Sequence, residues 1–175
     1  MKRKVNIWDY AGKIMEAMDP GVLITTKAGG KVNTMTIGWG MIGTQWRKNI
    51  FIAYVRESRH TKKMLDENME FTVNVPLDVT DKHILAICGT KSGRDMDKIG
   101  ELGLTLEEPN TISVPGIKEL PLTLECRVVY AQDQDPAAIP ADVQKRYYPA
   151  LYPDGRSDYH TIYYGEILDA YIIED

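Results

Sequence analysis

Residues 21–43 read GVLITTKAGGKVNTMTIGWGMIG. The first seven, GVLITTK, form a β-branched run, and the AGG at 28–30 is a turn signal. The next run, VNTMTIGWGMIG at 32–43, has strand character interrupted by Gly38, Gly40 and Gly43. Glycines inside a strand point to bulges, bends or close approach by another backbone or a ligand. Further along, NIFIAYV at 49–55 and MEFTVNV at 69–75 predict two more strands, the second bounded by Pro76. Between them, residues 58–68 predict a short helix with Ser58 as N-cap, because its hydroxyl can accept an orphan N–H of the first turn. A second helix is expected to start around Val79, Thr80 and Asp81 and to cover His83 to Ala86.

Later strands are predicted at 104–107, 122–130 and 161–173. In the last of these, Ile162, Tyr164, Ile167, Leu168, Tyr171 and Ile173 do not alternate, which predicts a bulge near Gly165. Residues 132–159, rich in Pro, Asp and Tyr, read as an excursion with one helix near 141–148. Many strands joined by turns and short helices lack the βαβα rhythm of a parallel sheet. The pattern therefore predicts a mainly β, antiparallel barrel with helical insertions. Such a barrel removes exposed edges and can hold a ligand at its mouth or at a subunit contact.

A chain of 175 residues fits one domain, and at this size about 70% of the unfolded surface can be buried without disulfide or metal staples. Ten Tyr and three Trp against two Phe give many flat faces with polar handles, suited to interfaces and planar ligands as well as to ordinary packing. The net charge of −4 does not suggest a nucleic-acid footprint. The basic start, Met1 to Lys4, is followed by Asn6, Trp8, Asp9 and Tyr10 instead of an apolar stretch, so an export signal is not expected. No apolar run is long enough to cross a membrane. Cys88 and Cys126 are far apart and form no CxxC, which fits unpaired thiols in a reducing cytoplasm.

The stretch CGTKSGRDMDK at 88–98 tests several chemistries. A phosphate-cradling Walker loop needs a glycine directly before the lysine, and Thr90 stands before Lys91. No G-x-G-x-x-G follows a strand either. Cys88 falls at the C-terminal end of an apolar helix, the wrong end of the dipole for a reactive thiolate, and no His or Cys pair has metal-ligand spacing. Ser92 to Asp95 fits a capping box with Ser92 as N-cap, and Lys91, Arg94 and Lys98 add positive charge that a cap leaves unexplained. Arg56, Ser58, Arg59, Thr61 and Lys62 gather at a strand-to-helix junction. A helix N-terminus with arginine and hydroxyl donors suits a phosphate, and a simple serine cap beside a solvated basic face accounts for the same residues.

Four segments together resemble the flavin reductase-like, FMN-binding split-barrel family, and in particular its flavoredoxin-type branch. They are residues 21–43, IAYVRESRHTKKMLDENMEFTVNV at 52–75, CGTKSGRDMDK at 88–98 and HTIYYGEI at 160–167. The resemblance implies a six-stranded antiparallel Greek-key split barrel that forms a homodimer, with one FMN near each subunit contact. It implies that Asn33, Thr34, Met35 and Thr36 lie along the isoalloxazine edge and that Trp39 packs near the ring. Arg56, Ser58 and Thr61 would hold the phosphate. Ser92, Arg94 and Lys98 would aim donors and positive charge at the flavin, and His160 and Tyr164 match a closing H-x-x-x-x-G-E pattern. The implied activity is an FMN-dependent oxidoreductase needing no catalytic side chain, because the flavin carries the chemistry. It would be a flavin reductase or a flavoredoxin-like electron carrier, with NAD(P)H or a ferredoxin-like protein as donor. The alternatives are a non-catalytic flavin- or small-ligand-binding module and a relative with another ligand, such as haem or a deazaflavin.

Overall fold

The computed structural model describes residues 1–77 and 82–174, so the expected helix start at Val79 to Asp81 lies outside the described residues. In chain order the strands are β1 (Lys2–Lys4), β2 (Val22–Ala28), β3 (Lys31–Ile37), β4 (Gly40–Gln45), β5 (Lys48–Arg56), β6 (Glu70–Val75), β7 (Leu106–Glu107), β8 (Gly116–Ile117), β9 (Leu122–Asp133) and β10 (His160–Ile173). The helices are α1 (Ala11–Ala17), α2 (His60–Glu67), α3 (Lys82–Thr90), α4 (Lys98–Glu101) and α5 (Ala141–Tyr147).

One antiparallel sheet runs in the order β3-β2-β6-β9-β10-β5-β4, with β1 also paired to β10, and β7 pairs β8 separately. The two outermost strands, β3 and β4, are consecutive in the chain and joined only by Gly38 and Trp39. Three Cα steps span at most about 11 Å. The sheet therefore has to curl until its ends meet at that corner, although no ladder joins β3 to β4 among the described residues. This is the expected mainly β, split antiparallel architecture, with eight strands in the main sheet where six were expected. The extra pairing comes from the length of β10, whose first half pairs β5 while Tyr171 to Ile173 pair β1. Register shifts at Tyr164/Gly165 and Ile167/Asp169 place the expected bulge.

Successive residues of β2 enter different cores, as a period of two requires. Ile24 joins Phe51, Val55, Phe71, Leu124 and Tyr163 inside the curled sheet. Leu23 points outward and joins Ile84, Leu85 and Cys88 of α3 with Leu104, Ile117 and Leu120. Burial of both faces explains why this strand reads as a continuous apolar run. The β2–β3 hairpin turns through Gly29 and Gly30, both at positive φ, as the two-residue turn demands.

Both expected helix caps are corrected. The cap of α2 is Arg59, whose extended backbone supplies no side-chain bond, while Ser58 is held by Asp158. In the 92–98 stretch Ser92 caps only a turn, accepting from the Arg94 N–H at 3.2 Å. The short helix that follows is capped by Asp97, whose carboxylate accepts from the Gly100 N–H at 3.2 Å.

Gly165 sits at the bulge with no room for a side chain: a Cβ there would collide with the Phe71 ring and lie 2.9 Å from the Cys126 Cβ. Gly165→Ala is expected to lower stability by about 1–3 kcal/mol, the usual cost of overpacking a core. Urea unfolding checks this, and a wild-type midpoint would show that the bulge relaxes freely.

Candidate functional site

Because β3 pairs only β2 among the described residues, its other edge faces the start of α2, the C-terminal end of α3 and the loop after it. Three adjoining cavities lie along that edge. A central cavity of about 210 Å³ is walled by Asn33 and Met35, the 58–61 turn, Cys88 and the 91–94 loop, with Lys98. Past Met35 and Arg59 it meets a cavity of about 160 Å³ bounded by Thr36, Trp39, Tyr54, Arg56 and His160. On the other side it meets a cavity of about 730 Å³ that reaches the β2–β3 turn, Met64, Met96 and Leu106. Consecutive residues of β3 line these walls, as expected where the wall is a strand's edge and not its face.

Eleven of the thirteen residues singled out from the sequence line the central or the tryptophan-bounded cavity. Asn33 is tied to the start of α2, donating from Nδ2 to the Thr61 hydroxyl at 3.0 Å. Thr36 donates to the Leu85 carbonyl at 2.7 Å and so ties β3 to α3. Arg94 crosses the central cavity to donate to the Ser58 carbonyl at 3.1 Å. Trp39, 42% exposed, stands beside His160 with ring centroids 5.0 Å apart and meets Tyr147 edge-on at 5.5 Å.

Thr34 and Tyr164 are the two that the structure keeps away. The Thr34 side chain is fully buried on the outward sheet face, bonded to Thr25 and donating to the Ile24 carbonyl. Tyr164 pairs with Tyr130 across β9 and β10, two residues beyond Ile162, and touches none of the three cavities.

Arg56 and Ser58 line the walls and are also bonded within the chain. The Arg56 guanidinium donates to the Asp158 carbonyl at 2.7 Å and the Tyr147 carbonyl at 3.0 Å, and lies over the Tyr148 ring. The Asp158 carboxylate, 5% exposed, accepts from the Ser58 N–H at 2.9 Å and from its hydroxyl at 2.6 Å. An internal carboxylate thus occupies the Ser58 donors at which a phosphate was expected. Asp158 was not legible from sequence, since it lies a hundred positions away in the 132–159 excursion.

Lys98 is the most constrained of the cationic groups. It is 3% exposed, and its ammonium donates to the Lys91 carbonyl at 3.2 Å, the one acceptor found for it among the described residues. Burial pushes its pKa down and Arg59 adds to that, while Cys88 opposes it. His60 lies between the central and large cavities. Its buried Nδ1 has no partner among the described residues, and burial followed by Arg94, Lys63, Lys98 and Lys31 holds its pKa down. Gly93 permits the loop to close on Asn33, because a Cβ there would collide with the Asn33 carboxamide.

His160 is buried against Arg56, and its Nδ1 meets the Tyr148 hydroxyl at 2.9 Å. Burial, then Arg56, brings its pKa from 6.5 down to about 4. Between those values the unfolded chain binds a proton that the folded chain refuses. The stability contributed by neutral His160 is therefore full above pH 6.5 and is lost as pH falls toward 4, on the order of 3 kcal/mol. His160→Gln is expected to lose less stability than the wild type between pH 7 and pH 4.5 in equilibrium unfolding. Equal losses would remove His160 as the titrating group.

A family model described as the flavin reductase-like domain matches residues 16–175. The chain is 36% identical over 99 residues to an uncharacterized protein of Archaeoglobus fulgidus, covering 57% of this chain and 55% of that protein. It is 28% identical over 111 residues to a Pyrococcus abyssi protein, covering 63% and 62%. The chain thus spans less than two thirds of the length of these relatives. Among solved structures, the flavoredoxin of Methanosarcina acetivorans superposes with a TM-score of 0.65 at 27% identity, covering 89% of this chain and 69% of that one. The flavoredoxin of Desulfovibrio vulgaris (Miyazaki F), at 21% identity and a TM-score of 0.66, covers 89% and 70% and shares the fold. A match running from residue 16 to the end, on a split antiparallel sheet of the flavoredoxin kind, places this chain in the flavin reductase-like domain family.

Proposed function

We propose that this chain binds FMN and works as an oxidoreductase through it, either as a flavin reductase or as a flavoredoxin-like electron carrier. The observation that carries the reading is Lys98, a buried ammonium with one acceptor among the described residues, at the meeting of two cavities. A buried charge with unmet donors calls for an anion. The residues present fit FMN: a flat ring can lie along the free edge of β3, and the phosphate can meet cations and hydroxyls where the cavities join.

FMN, when bound, supplies hydride and single-electron chemistry at its ring. Asn33, Met35 and Thr36 offer the strand edge to that ring, and Trp39 with Tyr147 and His160 shields the end of the trough from water. Lys98 stabilises negative charge on whatever faces it. The phosphate falls to Arg59, Thr61, Lys91, Ser92 and Arg94 around the central cavity, because Asp158 holds Ser58 and Arg56 lines the neighbouring cavity. His160 stays neutral near pH 7 and adds no charge beside Arg56.

The partner is a second copy of the chain. Met41, Ile52, Tyr164 and Tyr130 stand in register across β4, β5, β10 and β9, on the face opposite the inner core. Met41 and Tyr130 are 49% and 40% exposed, and Trp39 begins the same face beside the trough. An apolar ridge of this kind next to a ligand site suits a subunit contact. Tyr164 thereby moves from cofactor residue to interface residue.

Titration of the purified chain with FMN is expected to give a yellow one-to-one complex that NADH, NADPH or a reduced ferredoxin bleaches. A colourless protein that takes up no FMN would overturn the reading, and a yellow one that no donor bleaches would point to a binding module. Lys98→Met is expected to lower the flavin reduction potential and to weaken FMN binding by about tenfold or more, since a hydrogen bond to a charged group contributes about 1.5–3 kcal/mol. Met41→Glu is expected to convert a dimer to a monomer in sedimentation velocity. A wild-type monomer would sink the dimer, and a variant that stays dimeric would move the contact elsewhere.

A further inference from the structure

The large cavity is left over once FMN has been assigned. Of the residues given to the flavin, only Asn33, Arg94 and Lys98 also touch it, and all three stand on the wall shared with the central cavity. Its volume of about 730 Å³ is that of a small-molecule site, commonly about 300–1,000 Å³, whereas the other two cavities are smaller. Its chemistry is divided. Val32, Met64, Met96, Ile99 and Leu106 make an apolar lining, and Lys31, His60, Arg94 and Lys98 bring positive or hydrogen-bonding groups to it. Asp95 and Asp97 also line it, and Asp97 is engaged in capping α4.

We propose that this cavity is a second binding site, separate from that of the flavin, for an organic acid with an apolar body. Its carboxylate meets Lys98 and Arg94 from the side opposite the central cavity, and its body lies against Met64, Met96 and Leu106. The neck between the two compartments is the close approach of Gly93 to Asn33, which leaves Lys98 accessible from both. The ammonium has donors beyond the one given to the Lys91 carbonyl, so it can serve one acceptor in each compartment. The charges acting on His60, at the same wall, are all cationic: Arg94, Lys63, Lys98 and Lys31. That field selects an anion over a neutral ligand of the same shape. The site stands on the cavity itself and does not depend on the flavin reading.

The probe is 2-naphthoate, with 2-naphthalenemethanol as its neutral counterpart, titrated calorimetrically into the full chain with FMN titrated in parallel. The expected result is saturable binding of one 2-naphthoate per chain, with the alcohol weaker by about tenfold or more, the worth of one charge-assisted hydrogen bond. Met96→Trp fills the large cavity alone, and it is expected to weaken 2-naphthoate by about tenfold and leave FMN affinity within about twofold. Leu106→Trp gives the same test from another wall should Met96→Trp fail to fold, as read by circular dichroism. Absence of saturable 2-naphthoate binding, or equal affinity for the alcohol, overturns the proposal. Competition between 2-naphthoate and FMN, or equal loss of both in Met96→Trp, also overturns it by giving the large cavity to the flavin. Failure of FMN to bind while 2-naphthoate behaves as expected overturns the flavin reading alone.

Discussion

Two residues, Gly38 and Trp39, hold the two ends of the main sheet together. The sheet is open in its hydrogen bonding and closed in its covalent chain, and the rest of the architecture depends on that combination. Curling the strands buries Phe51, Val55, Phe71 and Leu124 inside, while the missing ladder leaves β3 with one edge unpaired. An unpaired edge has to be covered or used. Here α3 and the 91–98 loop stand off from it far enough to leave cavities, so main-chain donors and acceptors line a trough. The same corner sets Trp39 at the trough's end, where it meets His160 and Tyr147.

The excursion at 132–159 is fastened to this corner by hydrogen bonds. Asp158 accepts two hydrogen bonds from Ser58, and Arg56 donates to two carbonyls of the excursion while stacking on Tyr148. Each group would be a plausible ligand for an external partner if read alone. Bonded within the chain, they fasten the excursion to the turn that leads into α2. Arg59, Lys91, Arg94 and Lys98 line the central cavity and bring positive charge to it.

How much of this was legible depended on the range of the interaction. The β2 run, the Gly29–Gly30 turn and the bulge at Gly165 are local patterns of hydrophobicity and backbone freedom, and each appears where the pattern put it. Ser58 as a cap could not be judged from its neighbours, because its competitor Asp158 is distant in sequence. Between Ser92 and Asp97, both capable of capping, spacing alone does not choose. Thr34 is different: it shares its strand face with Thr36, which still reaches a cavity wall, so alternation alone does not separate the two, and Thr34 is set apart by its bonds to Thr25 and the Ile24 carbonyl. The large cavity had no local signature at all, since its walls come from β3, α2, the 93–100 stretch and Leu106.

Lys98 links the energetics of the fold to the cavities it lines. Removing an ammonium from water costs several kcal/mol even after the surroundings relax, and one carbonyl offsets only part of that. The buried lysine is therefore a local debit that the two cores must carry while the cavities hold no anion. An anion placed against it restores the missing interactions and stabilises the folded chain by mass action. Anion binding and fold stability are then coupled through the same side chain. This explains why the stretch CGTKSGRDMDK is tied down so closely, by Cys88 in the outer core, by Gly93 against Asn33 and by the Asp97 cap beneath the lysine itself.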